Sequence, residues 1–575
     1  MSSYLASSRR RYAVALFSLV MVLGMVLAAC GGGSSTSQTT QNSSGAKTLH
    51  VLPAPGQPVV DLFNPYFDAN HGGEWGAAGL MYEQLWFING LTGQSQPWLA
   101  SSYQFSNNNM QLTFNLRQGV KWSDGQPFTS KDVVFTFNLL KQNPALDING
   151  VAPFYKSVSA PDDNTVVFTL TQPNTTALYY IGNQVRIVPE HVWSTISGDP
   201  AKYANDKNPV VIGPYKLQSW NSNIVTYVVN PDYWGTKPQV PEIQVVSIKD
   251  NTTAITDMIS GKLDWMGVAW NPDLDAQFTQ KDPQHNHTFF PASNVVMLYL
   301  NLQKSPFNNV LVRKAISTAI NRDQLPQGVA AYAKAATPTG IVTPTFNDWI
   351  APQYQNMKFQ YSVQQAQSYL EQAGFKKGSD GFYRDASGKE LTVPVNVVTG
   401  WSDWDQDVQF IVNDLKAAGI NASVNSMSQT SFVNAITTGN YSASICWTNA
   451  GPSPYYGLQA VLESAYSAKP GQTVSGTNFE RWDASTSNGL SALTDKYIEQ
   501  YQQTLDPNAQ KQAIQGLEKV MVEQLPAIPL TVNVNWDEYS TKNYVGWPST
   551  DNPYDFGSPF QVPDFENVIL HLKAA

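Results

Sequence analysis

Hydrophobic and polar positions alternate most plainly at 111–117, where Leu112, Phe114 and Leu116 are interleaved with Thr113, Asn115 and Arg117. That is the period of a strand with one buried face. Gln118-Gly119 and Ser123-Asp124-Gly125 mark turns around Val120 and Trp122. Thr129 then stands three residues before Asp132, a capping box in which a hydroxyl and a carboxylate satisfy free helix N–H groups. Val133, Val134, Phe137 and Leu140 supply that helix with a buried face. Further strands are predicted at 47–52, 165–170 and 243–248, with a hairpin from 216–220 and 224–229. The apolar stretch 79–88 reads as a helix, and 252–260 as a second one stopped by Gly261.

From about Asn294 the pattern changes to strict alternation of element types. Strand 296–300 precedes a helix with one face marked by Val312, Ile316, Ala319 and Ile320. Strand 391–399, helix 404–418, strand 420–425, helix 431–438 and strand 441–447 follow. In the middle helix Val408, Ile411, Val412 and Leu415 share a face, and Gly419 ends it. Such alternation predicts an α/β domain with helices packed on a sheet.

The N-terminal stretch is of another kind. Arg9, Arg10 and Arg11 precede an uncharged run, 12–27, of 16 residues, against the roughly 20 that a spanning helix needs. This layout is that of a secretory signal. Leu27-Ala28-Ala29-Cys30 resembles the end of a bacterial lipoprotein signal, which implies cleavage before Cys30 and lipid on its sulfur and new amino group. An ordinary signal peptide with an incidental Cys30 is the plainer alternative. Residues 30–46, rich in Gly, Ser, Thr, Gln and Asn, have nothing to seed a core and are expected to form a flexible tether. The chain is therefore expected outside the cytoplasm, held at a membrane face by the lipid alone.

Removing residues 1–29 leaves 546 residues, enough for two or three domains at roughly 150 each. That segment carries three arginines and no acid, so a net charge of −9 becomes −12, which argues against a nucleic-acid partner. After Cys30 only Cys446 remains, so no intramolecular disulfide or thiolate metal site is expected. Charged residues are only 14%, whereas there are 16 Trp and 27 Tyr. Most of these rings belong in cores; the excess suits an aromatic-lined cleft.

The run 112–135 resembles the diagnostic segment of oligopeptide/dipeptide-type solute-binding proteins, solute-binding family 5. Gly213-Pro214-Tyr215, the loop 230–235 (Asn-Pro-Asp-Tyr-Trp-Gly), the helix start 308–316 and Ala319-Ile320-Asn321-Arg322 match other family segments in order. The resemblance covers nearly the whole chain after the signal. It implies an α/β, two-lobed periplasmic-binding-protein fold (type II, with an additional inserted subdomain) and an interlobe ligand cleft. Carried onto this chain, lobe I takes in 47–92, 208–298 and 530–575, the inserted subdomain 93–207, and lobe II 299–529. The implied partners are a small oligomeric solute and the permease subunits of an ABC importer, with the binding protein a monomer and no cofactor.

In family members that bind free peptides, the loop after a lobe II strand reads Trp-x-Ala-Asp-Tyr-Pro-Asp-Pro, and its first Asp meets the peptide ammonium. Here Ala450 and Ser453 occupy the two Asp positions. A buried ammonium without a carboxylate is costly, although pairing of a peptide backbone as an added strand would survive the change. Gly400-Trp401-Ser402-Asp403-Trp404, Gly451-Pro452-Ser453-Pro454-Tyr455 and Gly546-Trp547-Pro548 resemble instead a subgroup associated with β-linked oligosaccharides such as cellobiose. Trp401, Trp404, Trp447, Tyr455 and Tyr456 would offer ring faces, and Asp403 and Asn449 hydrogen bonds. The reading leans to a neutral oligosaccharide, with oligopeptide or dipeptide as the alternative. For Asp403 taken alone the helix cap is the expected role, and Trp447, at a strand end, would serve equally as core.

A secreted glycosidase is the distant alternative, since Asp403 and Asp407 lie one helical turn apart; carboxylates so spaced are usually a solvated face. His285 and His287 are expected in a polar, solvated loop with no third ligand nearby. Cys446 is expected to be a small buried hydrophobe.

Overall fold

The computed structural model describes residues 47–56, 58–66, 76–327, 331–474 and 476–575. The signal segment 1–29, Cys30 and the tether 30–46 lie outside the described residues.

Two large sheets carry the fold. The first has seven strands, in the order Asn286–Thr288, Glu538–Ser540, Trp265–Met266, Leu49–Leu52, Glu242–Val246, Ile224–Val229 and Tyr215–Trp220. The second has six: Lys334–Ala335, Ile528–Val534, Ala292–Leu300, Ala443–Trp447, Thr392–Val398 and Asn421–Met427. Each sheet has its own main core, one containing Leu49, Trp265 and Ile243, the other Leu298, Val395 and Ile445. These are the two lobes. A four-stranded antiparallel sheet, Ala100–Ser106, Gln111–Leu116, Thr165–Leu170 and Tyr155–Asp162, shares the core of the first lobe through Leu112, Phe114 and Phe168.

The chain passes from the first sheet to the second at 289–291 and back at 535–537. The divisions expected at 298/299 and 529/530 instead run through strands Ala292–Leu300 and Ile528–Val534, which pair with each other inside the second sheet. The two crossings lie side by side: Phe289 N–H donates to Asp537 O at 2.9 Å, and Asn535 N–H to Pro291 O at 2.8 Å. Trp265 Nε1 donates to both Asp537 Oδ1 (2.9 Å) and Gly557 O (2.8 Å) beneath them.

Local expectations hold where one period dominates. Leu112, Phe114 and Leu116 are all buried on strand Gln111–Leu116, and the hairpin and helix Asn251–Ser260, with Gly261 at its C-cap, form as read. Stretch 79–88 does not form a helix. It holds the end of one π-helical turn, Ala77–Met81, and strand Trp86–Ile88, which pairs with Ser95–Pro97. Apart from Glu83 and Gln84, both buried, the stretch is apolar on all sides, and from such a run period alone cannot separate strand from helix.

The capping box forms at helix Ser130–Gln142: Thr129 N–H donates to Asp132 Oδ2 at 2.9 Å while the Thr129 hydroxyl accepts from the first turn. Asp132 Oδ1 also accepts from Glu190 N–H at 2.9 Å. Thr129→Ala is expected to cost about 1 kcal/mol in urea unfolding, and Thr129→Ser to restore most of it.

Candidate functional site

Strands Thr392–Val398 and Ala443–Trp447 run parallel, with Val395 opposite Ala443 and Asn396 opposite Ser444. Their carboxyl ends therefore leave the second sheet at one edge, where open α/β sheets form ligand crevices. After the first strand Gly400 adopts φ +90°, a conformation glycine enters without steric penalty, and turns the chain into helix Ser402–Ala417. Trp401 sits at the cap and Trp404 in the first turn. Trp447 is the last residue of the neighbouring strand, its carbonyl held by Tyr299 Oη at 3.3 Å.

These three indoles converge. Trp401 and Trp447 are stacked, with centroids 5.5 Å apart and planes 22° from parallel. Trp404 lies 5.0 Å from Trp447 and 5.1 Å from Trp401. Trp404 is rooted in the second core, Trp401 is half-buried, and Trp447 is 40% exposed. All three line a cavity of about 840 Å³, within the range of small-molecule sites.

Asp403, Asn449 and Tyr456 line the same cavity, but Tyr455 does not. Helix Pro454–Leu462 begins just before these tyrosines, so consecutive side chains diverge by about 100° around its axis. Tyr455 points into the core, stacked on Tyr501 at 4.3 Å and bonded through its hydroxyl to Gln502 Nε2 at 2.7 Å. Gly451 is required by Tyr456: a Cβ there would lie 2.5 Å from its ring. Trp547, from the third oligosaccharide-type motif, is also core, stacked on Tyr539 with Nε1 donating to Tyr544 O at 2.8 Å.

The remaining walls come from segments the sequence did not single out. Tyr179 and Tyr180 pack against both main cores; Tyr179 lies 4.5 Å from Tyr456, and Tyr180 Oη donates to Gln459 Oε1 at 2.9 Å. Ile148, 46% exposed, faces the cavity beside Asn149, and Trp536 and Phe560 close the side of the first sheet. A Tyr-Tyr pair in an apolar stretch and an isoleucine in a polar loop carry no signal of site membership by themselves.

Asp403 is the one lining side chain with a formal charge at neutral pH; no Lys, Arg or His lines the cavity among the described residues. It is not the helix cap, since Trp401 occupies that position and Asp405 Oδ2 accepts from Gly400 N–H at 3.1 Å. Burial pushes the Asp403 carboxyl up to about 6, with backbone N–H groups of Trp404 and Asp403 opposing and the Asp405 charge assisting. Asp407, one turn on, is not on a solvated face: it is 2% exposed, and burial followed by the Asp403 charge raises it well above the usual carboxylate range. The sequence did hold this signal, because Asp407 lies four residues before Ile411 on the buried stripe. Asp407 does not line the cavity, so only one of the two carboxyls reaches a ligand there, whereas hydrolysis of a glycosidic bond uses two.

Cys446 is buried between strands, its thiol pushed up to about 12 by burial. His285 Nδ1 meets Asp282 Oδ1 at 2.9 Å and His287 Nε2 meets Gln284 O at 3.3 Å, both partly exposed. No group of three or more metal-ligating side chains occurs among the described residues. No helix among them is long and apolar enough to cross a membrane.

The family model described as bacterial extracellular solute-binding proteins, family 5 Middle, matches residues 94–469. The dipeptide-binding protein of Escherichia coli K12 is 26% identical over 524 residues, 86% of this chain and 91% of that protein. Among solved structures, a mannohexaose-bound periplasmic oligopeptide-binding protein from Thermotoga maritima superposes with a TM-score of 0.80 at 24% identity, covering 92% of this chain and 99% of its own. DppA from Helicobacter pylori, in complex with the peptide STSA, gives 0.71 at 21% identity, covering 89% and 97%. At such identities these two likenesses concern the fold.

Proposed function

Because the chain belongs to the bacterial extracellular solute-binding proteins of family 5, we propose that it captures a short neutral oligosaccharide, β-linked, between its two lobes and hands it to the permease of an ABC importer. One observation carries this reading: three converging indoles, one of them 40% exposed, in a cavity whose described lining holds a single charged side chain. Sugar rings present apolar C–H faces that pack on indole, while their hydroxyls suit amide and carboxylate partners such as Asn449 and Asp403. Among the described lining residues a zwitterionic peptide would find no cation for its carboxylate, and Ala450 supplies nothing to its ammonium.

In this reading the crossings at 289–291 and 535–537 are the hinge, and the inserted subdomain of about 93–207 supplies the Ile148 and Tyr179-Tyr180 wall. Closure on the ligand makes the shape that the permease reads. The lipid on Cys30 keeps a monomeric binding protein at the membrane face, and the protein binds without turning over its ligand.

Peptide remains the second reading, favoured by the name of the Escherichia coli relative. A thermal-shift screen of the purified protein with cello-, manno- and xylo-oligosaccharides beside di- to pentapeptides separates the two. A shift with at least one sugar series and none with peptides is expected. A shift with peptides alone overturns the oligosaccharide reading.

A further inference from the structure

Asp403 and Asp407 stand at i and i+4 of helix Ser402–Ala417 and so share a face. Asp403 opens on the cavity; Asp407 lies below it, almost fully buried, with Oδ1 lacking any hydrogen-bond partner among the described residues. Among the described residues no cation answers either carboxyl. The strands packed under this helix, Thr392–Val398 and Asn421–Met427, contain no ionisable residue. On helix Val310–Ala319, which also packs against it, Arg313 bonds the carbonyls of Phe307, Asn308, Gln524 and Leu525, and Lys314 acts on neither carboxyl. The groups that do act on the pair are Asp405, on Asp403, and Asp403 itself, on Asp407.

We propose that Asp403, backed by the buried Asp407, forms a hydroxyl-accepting subsite beside the indoles, so that ligand affinity is tied to the protonation of this carboxyl pair. The inference rests on the oligosaccharide reading above and adds what its polar end recognises. Two like charges one turn apart in a cation-free pocket do not ionise together. The deeper Asp407 retains its proton, and Asp403 carries the charge at neutral pH. A desolvated carboxylate needs donors, and adjacent sugar hydroxyls supply two, whereas a ligand bearing its own carboxylate brings repulsion. Uronate-containing oligomers are therefore excluded along with peptide C-termini.

Hydroxyl donors favour the ionised form, so binding lowers the Asp403 pKa from its free value of about 6. Affinity is full above that value and falls as pH drops through it. Titration calorimetry of the full protein with mannohexaose and cellotetraose between pH 5 and 8 tests this. Binding roughly tenfold weaker at pH 5 than at pH 7.5 is expected, one pKa unit being a factor of ten. Proton release near pH 6, read from heats in two buffers of different ionisation enthalpy, should accompany it. Asp403→Asn should bind roughly tenfold more weakly at pH 7.5 and lose the pH step. Affinity constant from pH 5 to 8, in a protein whose sugar binding Trp447→Ala still weakens roughly thirtyfold, overturns the carboxyl subsite and leaves the oligosaccharide reading standing. Failure of both sugars at every pH overturns the two together.

Discussion

Trp447→Ala is expected to remove most ligand-dependent stabilisation while leaving the fold intact. The side chain ends strand Ala443–Trp447 and is 40% exposed, so its deletion opens no cavity in the core. The loss of ring contact with Trp401 and Trp404 should cost about 1 kcal/mol of stability. The effect on binding is larger, because an exposed indole face is where the ligand finds its own flat partner. Truncating a central aromatic contact costs about 2 kcal/mol, roughly a thirtyfold loss of affinity. At a ligand concentration 100 times the wild-type dissociation constant, binding stabilises the wild type by about 2.7 kcal/mol, and the variant should retain under about 1 kcal/mol of that. Ligand-dependent thermal shifts on both proteins measure the difference. Tyr455→Phe is the matched control: it loses the Gln502 hydrogen bond within the core and should keep the full ligand shift.

The largest stability effect is expected at Trp265→Ala. This indole is fully buried and packs 5.2 Å from Trp547. Its Nε1 also bonds Asp537 and Gly557, which belong to chain segments far from it in sequence. Truncating a buried Trp costs about 4 kcal/mol through lost burial and the cavity left behind. Here the cost rises further, because Asp537 is fully buried, its Oδ2 already lacks a hydrogen-bond partner among the described residues, and Trp265 supplies Oδ1 with its donor. Urea unfolding should show the loss, and Trp265→Phe, which keeps most of the packing but not the donor, should recover only part of it. Since Asp537 lies in a crossing between the lobes, the variant should also bind ligand more weakly than its stability alone explains; unchanged affinity would show that the crossing tolerates the disturbance.

Much of the fold was legible because single periods dominated single elements. The alternation at Gln111–Leu116, the Thr129 box and the stripe Val408, Ile411, Val412 and Leu415 each dictate one local answer. The aromatic cluster was half legible: Gly400-Trp401 and Trp447 each end a strand, but only parallel pairing of those strands brings the rings together. Tyr455 was misassigned because adjacency in sequence does not fix helix phase, and the start of helix Pro454–Leu462 decides which tyrosine faces the cavity. The walls from Ile148 and Tyr179-Tyr180 depend on the approach of distant segments, which no local pattern encodes. Strands Ala292–Leu300 and Ile528–Val534 lie across the divisions that the family resemblance implied, because strand pairing decides where a lobe ends.

The strand order of the first sheet also governs how the molecule can be assembled. Strand Glu538–Ser540 lies between Trp265–Met266 and Asn286–Thr288, joining two pieces synthesised some 250 residues earlier. A chain emerging from its N-terminus can complete the second sheet from 292–534 while the first still has a gap beside its edge strand Asn286–Thr288. Until the last segment arrives, both flanking strands present unpaired backbone, the kind of edge that recruits other chains. Termination between 535 and 537 therefore yields a molecule with one finished lobe and one sticky one, and termination earlier leaves both sheets short of a strand, making translation through the C-terminal segment a condition for solubility as well as for function.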